Sequence, residues 1–216
     1  VTSEMIMTMY SMDSNSYLLY QKGVEAMLNH VDESKVLQTV VPINGDYFEL
    51  PVQQLAGIVG FLTYYEYTGD KAFLEKVYDA SLDYLKLWEI GENNLVVHRE
   101  GSWDWADWGS KADMTAVENA WYYYALSATE KMAEIIGKSE DISFIAERKN
   151  AVAKGYKSLW TEEGFKSKDA KKPDDRANAL AVLSGLATKD QYGTILNVLT
   201  TTKNSSPYME YYVLEA

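Results

Sequence analysis

The residues best suited to chemistry lie in one short segment rich in tryptophan and aspartate. Three of the chain's six tryptophans and two aspartates fall within the run from Trp103 to Trp108, which is flanked by glycines. No helical or strand period explains their spacing. The face of a tryptophan ring packs on the C–H faces of a sugar, and a carboxylate accepts hydrogen bonds from sugar hydroxyls. The segment therefore predicts a carbohydrate site made of Trp103, Asp104, Trp105, Asp107 and Trp108.

The same segment also has a structural interpretation. Tryptophans can fill the end of a helical ring as core residues, and aspartates commonly cap neighbouring helices. A second acidic group raises the same choice, because Asp46 and Glu49 stand three residues apart just before a strongly apolar predicted helix. They can face a cavity together, or they can simply complement the helix dipole with negative charge. From the residue types, both interpretations stay open for both groups.

Other polar residues give weaker indications of a site. Glu118 completes a Thr-x-x-Glu capping box, which already accounts for it. The run Asp174–Arg176 is expected to cap a helix or form a surface ion pair, with a role in a site as the alternative. His30 and His98 have no neighbouring ligands in the sequence, and no zinc, calcium, P-loop or dinucleotide motif occurs. We therefore predict no metal and no cofactor.

The composition limits the classes of partner. The 216 residues carry 32 acidic and 20 basic side chains, and the net charge of −12 argues against nucleic acid and anionic membranes as partners. The longest strongly apolar stretch, Leu55–Tyr65, is too short to cross a bilayer, so a soluble protein is expected. The absence of cysteine excludes thiolate sites and leaves the compartment open. A periplasmic or secreted location is the expectation.

Helical periodicity dominates the rest of the sequence. Some predicted helices are apolar around their whole circumference, whereas others carry one apolar and one charged face. The stretch from about Leu50 to Tyr67 is of the first kind, and the stretch that Asp70 opens is of the second. Only 36–41 and 94–98 resemble strands, and both are too short to form a sheet. The other predicted helices cover 2–10, about 16–29, 115–137, 139–160, 176–187, about 192–199 and 207 onward.

This alternation predicts an all-α fold, an incomplete (α/α)6 toroid of helical hairpins. An inner helix contacts its neighbours and its outer partner, while the outer helix keeps one wet face. A plain bundle and a solenoid of hairpins are the alternatives, since both also pair their helices. In a toroid, every loop from an outer helix to the next inner helix lies at the same end, so these loops are expected to converge. We expect residues 1–216 to form one domain that is cut at both ends.

Five runs of residues follow one another at the spacing of helical hairpins. They are Met9–Tyr17, Asp46–Pro51, Trp103–Gly109, Asp175–Leu180 and Ser206–Glu210. Together they resemble the catalytic domain of bacterial α-L-rhamnosidases of the six-hairpin glycosidase type. The order of the runs, more than any single one, carries the resemblance, which extends over nearly the whole chain.

The resemblance implies a toroid that hydrolyses terminal α-L-rhamnose with inversion, so a rhamnose-containing glycan or glycoside is the expected substrate. Inversion needs a carboxylic acid and a carboxylate about 6.5–9.5 Å apart. In that family the acid lies in a motif ahead of this chain and the base in a motif beyond it. No catalytic residue is therefore expected here, and the chain alone is expected to be inactive. The resemblance carries over a sugar-binding wall: Asp46, Tyr47, Glu49, Trp103, Asp104, Trp105, Asp107 and Trp108.

Two other functions remain compatible with the sequence. One is a non-catalytic carbohydrate-binding or scaffold module whose tryptophans stack on a glycan. The other is a different six-hairpin glycosidase, such as a glucoamylase-like enzyme or an unsaturated-uronyl hydrolase. Residue types alone do not identify the sugar, so both stay open at this point.

Overall fold

A computed structural model describes residues 6, 11–13, 15–43, 48–108 and 111–216. In these ranges the chain is mostly helical, which confirms the all-α class. The helix predicted over 2–10 lies almost wholly outside the described residues, as do Asp46 and Tyr47. None of the helices in the described ranges combines the length and apolar character needed to cross a membrane. The helices are α1 (Tyr17–Leu28), α2 (Pro51–Thr68), α3 (Lys71–Lys86), α4 (Met114–Ile136), α5 (Ile142–Tyr156), α6 (Asp175–Leu183), α7 (Tyr192–Thr201) and α8 (Pro207–Glu215).

A small hairpin is the one sheet in the described part of the chain. Strand β1 (Trp160–Thr161) pairs antiparallel with β2 (Gly164–Phe165), with Trp160 opposite Phe165. The sequence did not predict it because four paired residues show no alternation. The predicted strand-like stretch at 94–98 contributes a single bridge between Ile90 and Val96, and 36–41 forms no strand.

The chain divides into two compact units, each assembled from separate segments. The first unit comprises Val1–Trp88, Arg99–Asp104 and Ala125–Ile145. The second unit comprises Glu89–His98, Trp105–Tyr124 and Ala146–Ala216. The single domain expected for residues 1–216 stays a prediction.

Helices α2 and α3 form the core of the first unit. Helix α2 is buried around most of its circumference, as predicted, and Pro51 at its first turn suits a helix start. It ends at Gly69, whose φ of +70° is left-handed, and Asp70 then accepts a hydrogen bond from the Phe73 amide at 3.1 Å to cap α3. Helix α3 buries one face only, so the predicted pair of inner and outer helices is confirmed. Helix α1 adds Tyr20, whose ring stacks on Tyr64 of α2 at 5.3 Å.

Replacing Asp70 with alanine is expected to lower the free energy of unfolding by about 1 kcal/mol, because the Phe73 amide loses its cap. Urea unfolding followed by circular dichroism measures the change. Glu75→Ala is the matched control: Glu75 is exposed on the same helix, and its loss should cost less than about 0.5 kcal/mol. Equal losses in the two variants would contradict the capping role.

Helix α6 is the centre of the second unit. All residues from Asp175 to Ala181 are buried, and the helix packs against α7 and α8. A capping box of Thr188 and Gln191 stands ahead of α7. The predicted start of α8 is also confirmed, since Ser206 Oγ accepts from the Tyr208 amide with Pro207 in the first turn.

One predicted cap is wrong. Helix α4 is capped by Asp113, which accepts from the Ala116 amide at 3.3 Å, so the Thr115–Glu118 pair lies inside the helix. Asp113 stands two residues ahead of Thr115 and therefore gives the helix an earlier start.

Candidate functional site

The loop that ends in Trp108 is tied to helix α8 by a buried aspartate in the second unit. Asp107 accepts a hydrogen bond from the Ser206 amide at 2.9 Å and another from the Ser206 hydroxyl. It also pairs with the Arg176 guanidinium at 3.4 Å, and its side chain has no exposed surface. A carboxylate at a helix N-terminus complements both the free amides and the dipole. Asp107 thus joins the aromatic loop to the starts of α6 and α8.

Arg176 and Asp174 form the charged centre of this arrangement. Asp174 caps α6 through the Arg176 amide at 3.0 Å and receives two guanidinium bonds, at 2.8 Å from Nε and 2.7 Å from Nη2. Its Oδ2 also accepts from the Asp113 amide at 3.1 Å. Arg176 is completely buried, so the predicted cap is confirmed and the predicted surface ion pair is wrong.

The charge of Arg176 is held by its carboxylate neighbours. Burial by itself would lower the pKa of Arg176, but the hydrogen bonds and charge of Asp174, helped by Asp107 and Asp175, raise it above its ordinary value. Removal of the cation therefore leaves the carboxylates of Asp174 and Asp107 uncompensated in a dry environment, and removal of Asp174 takes away the strongest partner of the cation.

Asp175 fixes the linker before α8. Its Oδ2 accepts from the amides of Asn204 and Ser205, at 2.9 Å and 3.1 Å, and from the Ser205 hydroxyl at 3.0 Å. Its Oδ1 is buried, and within the described ranges no donor reaches it. The first turn of α6 thereby sets both the loop at Asp107 and the linker that leads to Ser206.

A row of aromatic rings runs along this framework. Trp105 stacks on Tyr208 with ring centres 5.8 Å apart, and it meets Trp108 edge-on at 5.6 Å. Tyr208 contacts Tyr212, which packs edge-on against the buried ring of Trp121 at 5.0 Å. Trp108 is 62% exposed, so the row begins at the surface and ends in the core. Such a row can present ring faces to an apolar face of a ligand.

In the first unit, Glu49 belongs to a buried ion pair. Its Oε1 accepts from the Tyr84 hydroxyl at 2.7 Å and from Arg99 Nε at 2.6 Å, and its Oε2 accepts from Arg99 Nη2 at 3.2 Å. Burial, together with the negative charge of Glu49, raises the pKa of Tyr84 well above its ordinary value. Glu49 is 1% exposed, and its contacts hold Arg99 at the start of the segment that leads to Trp103.

The segment from Arg99 to Asp104 lies close to the start of α2. Ser102 and Glu49 exchange two hydrogen bonds, because the Ser102 amide donates to the Glu49 carbonyl at 2.9 Å and its hydroxyl accepts from the Glu49 amide at 3.1 Å. Trp103 is 50% exposed, and Asp104 is also exposed. Of the predicted wall residues in this unit, Trp103 and Asp104 are therefore accessible, whereas Glu49 is buried.

His98 has a carboxylate partner that the sequence did not indicate. Its Nδ1 lies 2.8 Å from Oε1 of Glu118, which is 2% exposed. Glu118 is therefore bonded to a side chain 20 positions away in the sequence. The expectation that His98 stands without a neighbouring ligand is wrong.

Comparison with known proteins gives this arrangement a family. The model of the bacterial alpha-L-rhamnosidase 6 hairpin glycosidase domain matches residues 2–208. The chain belongs to this family. The match confirms the resemblance of the five sequence runs and, with the helical structure, the six-hairpin glycosidase fold.

Solved rhamnosidase structures share the fold of this family domain. The GH78 rhamnosidase of Bacillus sp. GL1 is 20% identical with a TM-score of 0.74 over 90% of this chain and 22% of its own. The α-L-rhamnosidase from Dictyoglumus thermophilum is 18% identical with a TM-score of 0.75, over 93% of this chain and 24% of its own. A Klebsiella oxytoca rhamnosidase with rhamnose bound is 16% identical with a TM-score of 0.71, over 87% of this chain and 40% of its own. This chain thus spans less than half the length of these structures, and no curated protein sequence matches it.

The family domain carries its predicted wall residues in both units. Glu49, Trp103 and Asp104 belong to the first unit, and Trp105, Asp107 and Trp108 belong to the second. In the second unit the structure brings the three predicted residues together with Arg176, Ser206 and Tyr208, which sequence reasoning had not proposed for the wall. Ser206 and Tyr208 could have been found from the Ser-Pro-Tyr run, which is typical of the start of a helix.

Proposed function

We propose that this chain supplies a sugar-binding wall of an α-L-rhamnosidase-like glycoside hydrolase. Family membership over residues 2–208 supports the class, and a solved rhamnosidase of the same fold has rhamnose bound. The observation that carries the proposal is the row of Trp108, Trp105 and Tyr208, which is open at one end and anchored by buried charges. Aromatic faces of this kind suit the apolar face of a deoxy sugar such as rhamnose.

The geometry divides the proposed wall into contact and support. Trp105 and Trp108 offer ring faces in the second unit, and Trp103 and Asp104 are accessible in the first. Asp107 and Glu49 are buried and bonded to protein groups, so any effect they have on sugar binding passes through the residues they hold. For Asp46 and Tyr47 the family resemblance supports sugar contact. Carbohydrate is thus the proposed ligand.

For the whole bacterial protein we propose inverting hydrolysis of terminal α-L-rhamnosides at a periplasmic or secreted location. Inversion requires an acid and a base on opposite sides of the sugar. We assign neither role to a residue of this chain. The support is the family match, together with the resemblance, which expects both groups in motifs outside residues 1–216.

The 216-residue chain is expected to release no p-nitrophenol from p-nitrophenyl α-L-rhamnopyranoside, because it lacks the proposed acid and base. The longer natural protein should release it, and polarimetry or NMR of the first product should show the β-anomer. Turnover by the chain alone would contradict the placement of the catalytic groups. Failure of the longer protein to release rhamnose or another sugar from aryl glycosides would contradict the glycosidase proposal.

A further inference from the structure

We propose that Arg176 is a positioning residue for the aromatic row, acting through Asp107 and Ser206. Its importance for sugar binding rests on the proposed function, but its effect on the rings does not. Arg176 is fully buried, so it acts on a ligand only through the groups that it holds.

The guanidinium joins two segments that are far apart in sequence. Its Nε and Nη2 bind both oxygens of Asp174, at 2.8 Å and 2.7 Å, as a planar fork. Its Nη1 faces Asp107, 69 residues away, at 3.4 Å. One cation thus balances two carboxylates, which would otherwise repel each other in a dry environment.

Asp107 passes this restraint on to the rings. Trp105 lies two residues before Asp107 and Trp108 directly after it, while Tyr208 lies two residues after Ser206. The bonds from Ser206 to Asp107 therefore join the loop to α8 beside the Trp105–Tyr208 stack. When Asp107 loses its cation, it gains by moving toward water, and such movement separates the two rings.

Lysine is not expected to replace Arg176. An ammonium group is a single point charge on a flexible stem, whereas the fork of arginine faces both carboxylates at once. A lysine that reaches Asp174 leaves Asp107 without its cation. Both Arg176→Lys and Arg176→Met are therefore expected to loosen the stack.

The test follows Trp105 by 19F NMR in the 216-residue chain labelled with 5-fluorotryptophan, without sugar. Trp105→Phe identifies which of the six tryptophan signals belongs to Trp105. Tyr208→Leu gives the chemical shift of Trp105 when the stack is lost. In Arg176→Met the Trp105 signal should move toward its Tyr208→Leu position. The matched control is Arg148→Met, at a part-buried arginine of the same unit that bonds the Tyr122 hydroxyl, and it should leave the signal in place.

An unchanged Trp105 signal in folded Arg176→Met would overturn the inference. If that variant does not fold, Arg176→Lys decides in the same way, because it keeps a cation for Asp174 and removes the fork that also faces Asp107. In a second arm, the affinity of Arg176→Met for L-rhamnose should be about tenfold weaker than that of the unmodified chain. If the unmodified chain binds no rhamnose, the proposed function fails, while the sugar-free signal still decides the role of Arg176.

Discussion

Replacing Asp174 with alanine is expected to lower the free energy of unfolding by about 3–5 kcal/mol, because it breaks a buried ion pair and leaves Arg176 with only the longer contact to Asp107. The substitution removes the cap of α6, both fork bonds of Arg176 and the acceptor of the Asp113 amide. Urea unfolding followed by circular dichroism measures the loss. Asp169→Ala is the control, since Asp169 is exposed in the same unit and should cost less than about 0.5 kcal/mol.

A double-mutant cycle separates the ion pair from the cap. Because Asp174→Ala already removes both fork bonds of Arg176, adding Arg176→Met to it should cost much less than Arg176→Met costs alone. The single and the double variant that carry Asp174→Ala both lose the cap on the Arg176 amide, so the cap does not contribute to the difference between them. Strictly additive losses, or a loss below about 1 kcal/mol for Asp174→Ala, would contradict a buried charged centre.

Replacing Gly101 with alanine is expected to lower the free energy of unfolding by about 2–4 kcal/mol. The loss is the sum of backbone strain at a left-handed residue and a steric clash of the added methyl group. Its φ of +59° is left-handed, and an added Cβ would lie 2.6 Å from Pro51 Cδ and 2.9 Å from the Glu49 carbonyl oxygen. The added methyl group therefore pushes the Trp103 segment away from the start of α2. Thermal unfolding measures the loss of stability. Near-ultraviolet circular dichroism measures the displacement of the segment that carries Trp103.

Gly69 is the matched control for this prediction. It has a similar φ of +70° in the same unit, but an added Cβ meets nothing within 4 Å. Gly69→Ala should therefore cost only the backbone term, about 1–2 kcal/mol. Equal losses at Gly69 and Gly101 would show that the close approach to Pro51 contributes nothing.

Much of the fold was predictable because its signals are local. Four features each depend on a few adjacent residues: the all-round apolar pattern of α2, the cap at Asp70, the left-handed end at Gly69 and the start of α8 at Ser206. The wrong cap at α4 has a local cause too, since Asp113 stands two residues before Thr115 and starts the helix earlier by accepting from the Ala116 amide. The hairpin at 160–165 was missed because it is too short to show a period.

The site was less predictable because its contacts are distant in sequence. Trp105, Asp107 and Trp108 stood out by composition alone. The Asp-Asp-Arg run, however, has the same sequence pattern whether it lies at the surface or in the core. Only the approach of Asp107 to Arg176, 69 positions away, makes this arginine a buried centre. Glu49 is similar, because its partner Arg99 lies 50 positions away and no local pattern indicates that pairing.

A titration of the 216-residue chain with L-rhamnose, followed by tryptophan fluorescence, tests most directly whether the aromatic row is a sugar-binding wall. The unmodified chain should show a saturable change, and Trp160→Ala should keep it, because Trp160 is a half-buried tryptophan of the same unit that packs on Phe165. Trp105→Ala should lose the change, since it removes the ring between Trp108 and Tyr208. No saturable change in the unmodified chain, or undiminished binding by Trp105→Ala, would contradict the account.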